Sequence, residues 1–230
     1  MRRWGIVISL VYALIIVGLL MPAGVLLGGE HGLRSAAFYS DLKGAYGEWI
    51  LWVPMTMLLL GQVALLMLSV DTTQRRLKPR SPVLQSALLA GMLFMLLTVA
   101  AFFSAGVAVY SDEFFDKLPD SGVWICGAMG LVWVLWGGVF YLNLRSKTGI
   151  TARVVNWLLR GSVLELLIAV PAHVIVRRRN DCSAPVATSF GITSGIAIML
   201  LSFGPGVLLL YKKRIDAYRE QHPQRHAHVS

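Results

Sequence analysis

Residues 154–182 read VVNWLLRGSVLELLIAVPAHVIVRRRNDC, and this stretch decides the fold. Between Arg160 and Arg177 only Glu165 and His173 are ionisable, and almost everything else is aliphatic. A helix needs roughly 20 apolar residues to cross the hydrocarbon core of a bilayer, and this run meets that length. Working outward, comparable runs occupy roughly 5–28, 48–70, 84–109, 122–144 and 187–210, giving about six with the run at 154–176. Charged residues are confined to short clusters between them, and residues 29–47 and 111–121 read as modest loops after the first and third runs.

Composition agrees. The chain has 230 residues, 56% hydrophobic and 14% charged, whereas soluble domains lie near 45–50% and about 25%. Its mean hydropathy is +0.66. The expected fold is therefore all-α, a polytopic integral membrane bundle of about six transmembrane helices. One transmembrane domain is expected over 1–211, followed by a mobile basic and His-containing tail over 212–230. The opening Met1-Arg2-Arg3-Trp4 and its apolar run imitate a secretory leader. That run is too long, and Met21-Pro22-Ala23-Gly24 makes a poor cleavage site, so an uncleaved first span is expected.

The net charge of +9 would suggest nucleic acid in a soluble protein. Here the cations flank apolar spans, so anionic lipid headgroups and the bilayer itself are the expected partners, with no nucleic acid. Lys and Arg collect on cytoplasmic loops. An inside N-terminus places Arg2, Arg3, Arg75, Arg76, Lys78, Arg80, Arg145, Lys147, Arg153 and the tail cations on that side. Both termini are then cytoplasmic, in a cytoplasmic (inner) membrane.

Arg177, Arg178 and Arg179 violate that rule. One reading is a late loop that tolerates charge while the arginines snorkel to phosphates. Another is a flanking run that does not fully span. The functional reading is an anion- or headgroup-binding site, because the planar guanidinium binds phosphate or carboxylate through paired hydrogen bonds. The acidic stretch after the third run (Asp112, Glu113, Asp116, Asp120) offers a structural alternative as a partner.

At about 100° per residue, Leu158, Gly161, Ser162, Glu165, Ala169, Ala172 and His173 share one arc of the fifth span. The opposite side carries Leu159, Val163, Leu164, Leu166, Leu167, Val170, Val174 and Ile175. Glu165 therefore points into the bundle near the bilayer centre. An ionised carboxylate is costly there, so it is protonated, paired, or lining a wet cavity. Gln62, Thr98, Ser104 and Thr193 are candidate partners, and interhelical hydrogen bonding competes with proton or cation binding as its role. His173 lies two turns away, about 12 Å by helix rise, too far to share one metal. Glu165, His173 and Ser162 form the candidate intramembrane polar site.

Pro171, and Gly204-Pro205-Gly206 in the sixth run, are candidate hinges, with Pro22 and Pro54 as weaker breaks. Ala187, Gly191 and Gly195 read as a packing stripe. Cys126 and Cys182 fall towards the outer side and could form a disulfide, although two isolated buried thiols are the default. No histidine or cysteine spacing supports a metal, and no cofactor is expected. His222, His226 and His228 read as part of the solvated tail. Phosphate-loop, dinucleotide and nucleophile-elbow patterns are absent.

The leading functional expectation is binding or movement of a small solute, proton or ion through the Glu165/His173 site. The alternative is a non-catalytic subunit or assembly factor with membrane-protein partners, or a homo-oligomer. A weaker third is an enzyme acting on a phosphorylated lipid, with the arginines holding phosphate and His173 as acid or base. An enzymatic role is the less favoured reading.

Overall fold

The structure is a computed structural model. It describes residues 2–29, 33–71, 80–111, 113–116, 122–144, 150–179, 181 and 184–221, with the side chains of 2–5, 50, 66–71, 80–82, 115, 122–123, 150–151 and 204–221 outside the description. Among the described residues every regular element is helical.

The first span begins as α1 (Arg2–Ile15), widens into a π-helical turn over Ile16–Leu20, and resumes as α2 (Met21–Gly28). Pro22 explains the widening. It has no N–H to donate, and the Met21 N–H bonds Ile16 O instead of Val17 O. The Val17 carbonyl is thereby orphaned, and the Tyr46 hydroxyl donates to it at 2.5 Å.

Tyr46 belongs to α3 (Ala36–Gly47), which lies where the sequence suggested only a loop. Ser35 starts this helix from an extended conformation, its Oγ accepting from Phe38 N at 3.1 Å. α4 (Trp49–Asp71) follows after Glu48, bent 68° from α3. Trp52 Nε1 donates to Tyr46 O at 2.9 Å across that bend. The expected second span thus corresponds to α4, with α3 as an unexpected angled forepiece.

α5 (Arg80–Tyr110), α7 (Gly122–Leu144), α8 (Ile150–Arg179) and α9 (Ala184–Gln221) are the long remaining helices, with the short α6 (Glu113–Asp116) after α5. α5 ends where Ser111 takes a positive φ of 58°, and Phe114 then folds back onto Gly106, where any Cβ would overlap its ring. Among the described residues five helices are long and apolar enough to cross a membrane, and six if the bent α3–α4 pair counts as one span.

α5 and α9 are central. In the most apolar stretch of α9, 56% of residues are buried, against 11% in α7. α7 leans on α5, where Gly91 permits close approach: a Cβ there would lie 2.6 Å from Gly137 N and 2.9 Å from Gly137 Cα. Trp133 Nε1 donates to Leu88 O at 2.9 Å and Trp136 Nε1 to Thr98 Oγ1 at 3.0 Å, so both indoles serve this seam. Trp136 also stacks with Phe94 and Phe140. α8 and α9 run antiparallel, Glu165 facing Gly191 and Gly195 while His173 faces Thr188. α9 likewise opposes the first span, with Tyr12 donating to Ala197 O at 2.8 Å and Gly28 beside Ser189.

Candidate functional site: a buried carboxylate between two glycines

The buried face of α8 consists of Val154, Leu158, Ser162, Glu165, Ala169, Ala172 and Val176. Leu164, Leu167, Val170, Val174 and Ile175 are exposed on the opposite face, towards the surroundings of the bundle. This split is the helical periodicity of the sequence turned into packing.

Glu165 is 2% exposed. Its carboxylate lies against α9 where two glycines remove the obstruction. A Cβ at Gly191 would stand 3.0 Å from Glu165 Oε1 and 3.1 Å from Ala169 Cβ, and would overlap Ser104 Oγ of α5. A Cβ at Gly195 would overlap Glu165 Oε2 and sit 3.0 Å from Leu166. The notch therefore accepts the carboxylate because positions 191 and 195 have no side chains. Neither carboxylate oxygen has a hydrogen-bond partner among the described residues, and neither has Ser104 Oγ.

Of the other expected partners, Thr98 and Thr193 are engaged elsewhere. Thr98 donates to Phe94 O at 2.8 Å and accepts from Trp136. Thr193 bonds its own helix, to Ser189 O at 2.9 Å. Gln62 is buried on α4, with its Oε1 unpartnered among the described residues. Ser162 shares the stripe but spends its hydroxyl on Leu159 O at 2.9 Å.

His173 is half-buried, with Nδ1 at 2.8 Å from Thr188 Oγ1. Thr188 has one hydroxyl proton and lies 3.1 Å from Pro185 O. If that proton goes to Pro185 O, His173 Nδ1 must be the donor and Nε2 the free acceptor. Pro171 is exposed on α8, off the buried stripe, and α8 is helical through it. α9 is also helical through Gly204-Pro205-Gly206, whose side-chain surroundings lie outside the described residues.

Two of the three arginines hold helix ends. Arg177 Nη2 donates to Leu27 O at 2.5 Å and also to Gly29 O, at the C-terminus of α2. Arg179 Nη1 donates to Ala108 O at 2.8 Å, in the last turn of α5. Cations at C-terminal carbonyls satisfy orphan acceptors and oppose the negative end of the helix dipole. Arg178 is exposed. Arg177 and Arg179 thus tie α2, α5 and α8 together at one end of the bundle, a use that residue types alone did not indicate.

Cys126, expected to be a buried thiol, is instead exposed on the outward side of α7, which among the described residues only α5 covers closely, and Cys182, its suggested disulfide partner, lies outside the described residues. So do His31 and the tail histidines. No group of three or more metal-ligating side chains occurs among the described residues.

Sequence reasoning singled out Glu165 and named Ser104 among four partners, but it read Gly191 and Gly195 as packing alone. The clue was their four-residue spacing on the helix that follows α8 in the chain. Comparison with protein-family models, curated proteins and solved structures gives no match. The helices themselves define the class: this is an all-helical protein of the multi-pass membrane type.

Proposed function

We infer that this protein binds a proton at Glu165 inside the bilayer and uses that site to move a proton, or a small solute coupled to one, across the membrane. The supporting observation is the buried carboxylate with neither oxygen hydrogen-bonded among the described residues. A charged side chain at the centre of a spanning helix costs about 2.5–3.5 kcal/mol on insertion scales, and an aliphatic residue would cost nothing there. A neutral carboxyl can occupy the notch, and Ser104 Oγ of α5 lies on the same glycine, Gly191. The donor set suits a proton better than a divalent cation, since one carboxylate and one hydroxyl fall far short of the six to eight oxygens calcium takes.

His173 is two turns along the same stripe, about 12 Å by helix rise, so waters would have to link it to Glu165. Its bond to Thr188 orients the ring and leaves one nitrogen to exchange protons. Both termini are assigned to the cytoplasmic side of an inner membrane, because that orientation puts most Lys and Arg inside.

The test is potential-driven proton flux in proteoliposomes carrying an internal pH dye, comparing wild type with Glu165→Gln. The amide keeps shape and polarity but cannot titrate. Wild type should exceed protein-free vesicles, and the variant, with unchanged helicity and elution, should fall to the vesicle baseline. Equal flux from the two proteins, or none above baseline from wild type, overturns the reading.

A further inference from the structure

On the side of α9 away from Glu165 lies a separate, partly open cavity of about 340 Å³, lined by the first span, α3, α4 and α9. That volume is at the lower end of the ~300–1,000 Å³ of small-ligand sites. Leu20, Met55, Leu58 and Phe190 represent its largely apolar wall, and Gly24 and Gly28 widen it. Asp41 of α3 is the one ionisable side chain among the lining residues.

The polar atoms of the wall share a character. Ser189, Thr193 and Ser194 all line the cavity. Ser189 Oγ donates to Val186 O at 2.8 Å, Thr193 Oγ1 to Ser189 O at 2.9 Å and Ser194 Oγ to Gly191 O at 2.9 Å. A hydroxyl has a single proton, so each of these three is committed to its own helix and faces the cavity with lone pairs only. The Asp41 carboxylate is also an acceptor. A complementary occupant has an apolar body and a head that donates without accepting. Neutral alcohols fit half of that description, and fatty acids place a second carboxylate beside Asp41. A protonated primary amine, with three donors and no acceptor, fits all of it.

We propose that this cavity is a binding site for an aliphatic ammonium compound, its chain among the first span, α4 and α9 and its head against Asp41. α3 closes the site: it contributes Asp41 and Ala45 to the wall and is fastened by the Tyr46 hydroxyl on Val17 O. The π-helical turn that exposes this carbonyl also supplies Ile16 and Leu20 to the wall. The opening of the first-span helix and the seating of α3 are therefore one construction around the cavity.

The ammonium has two sources, a free long-chain amine or the ethanolamine head of a phospholipid whose phosphate stays outside the cavity. Binding to the purified full chain in detergent is measured by displacement of a fluorescent alkylamine, using dodecylamine, dodecanol and dodecanoate. The expected order is amine, alcohol, acid, with amine over alcohol by about fivefold, modest because Asp41 is solvent-exposed. Asp41→Asn should bring amine and alcohol within about twofold while leaving alcohol binding unchanged. Gly24→Leu should weaken all three, since its Cβ has room at 3.4 Å from Thr193 Cγ2 and the longer chain fills the cavity. Ala45→Phe repeats the block from α3 should Gly24→Leu fail to fold.

Native mass spectrometry with phosphatidylethanolamine and phosphatidylcholine identifies the source. Selective retention of the ethanolamine lipid, removed by Asp41→Asn, assigns the site to a bilayer lipid. Amine binding without lipid retention assigns it to a free amphiphile. Equal affinity for amine and alcohol in wild type, or an amine preference that survives Asp41→Asn, overturns the proposal. So does amine binding unchanged in folded cavity-blocking variants.

Discussion

If Gly195 exists to admit the Glu165 carboxylate, Gly195→Ala should be destabilising only while Glu165 is present. Two terms oppose each other in the single variant. Replacing glycine by alanine inside a helix gains about 0.8–1 kcal/mol of intrinsic propensity. Forcing a methyl into filled space costs about 1–3 kcal/mol. The new Cβ overlaps Glu165 Oε2, and Leu166 Cδ2 and Cγ lie only 3.0 Å away, so the upper part of that range applies. The net loss should be about 1–2 kcal/mol. In a Glu165→Ala background the carboxylate is gone, while the Leu166 contact persists and cancels in the double-mutant cycle. The coupling should then be about 1–3 kcal/mol, in the sense that Glu165→Ala relieves Gly195→Ala. Gly24→Ala serves as control. Its Cβ meets Thr193 Cγ2 at 3.4 Å on the other side of α9, so its effect should add to that of Glu165→Ala within about 0.5 kcal/mol. The assay is reversible unfolding in mixed micelles, followed by circular dichroism for the four proteins of each cycle. A Gly195→Ala protein as stable as wild type, or additivity in the 165/195 cycle, refutes the notch.

The seam between α5 and α7 should be asymmetric. Gly91→Ala must push against backbone atoms of α7 at 2.6 and 2.9 Å and should cost about 1–3 kcal/mol, whereas Gly137→Ala meets only Leu88 Cδ2 at 3.6 Å and should be neutral or slightly stabilising. Tryptophan fluorescence during thermal unfolding reports both, because Trp133 and Trp136 lie on this seam. Tyr46→Phe should cost about 0.6–1.7 kcal/mol, the range for interhelical hydrogen bonds in membranes, and should speed amide exchange across α3. In a Pro22→Ala background, where the first span can regain its regular bonds, that cost should shrink. Arg177→Ala should speed exchange at residues 25–29 and destabilise by about 1–2 kcal/mol through lost capping of α2. Arg178→Ala, at an exposed position, should stay within about 0.5 kcal/mol of wild type, and equal effects at 177 and 178 would remove the capping assignment.

The parts of this structure that were legible in the sequence follow from one-dimensional rules. Span length is set by bilayer thickness, so the runs near 5–28, 84–109, 122–144 and 154–176 correspond to helices. The inward stripe of α8 is set by helical period, so Glu165, Ala169 and Ala172 are buried while Leu164 and Leu167 are exposed. What stayed hidden depends on which helix faces which. Residues 36–47 read as a loop because they are too short and too mixed to span, yet Ser35 caps a helix there. Arg177 carries no sign in sequence that its partners are carbonyls some 150 positions away. The two glycines show the limit most clearly. As packing residues they let α9 come close to α8, and as neighbours of Glu165 they admit its carboxylate, and these are one event. Close approach covers the carboxylate with helical backbone whose N–H groups are already bonded within α9. The cover supplies no hydrogen-bond partner of its own, and neither oxygen finds one among the described residues. An unpaired buried carboxyl is thus the direct product of glycine at 191 and 195, and a larger residue at either position would have pushed Glu165 away.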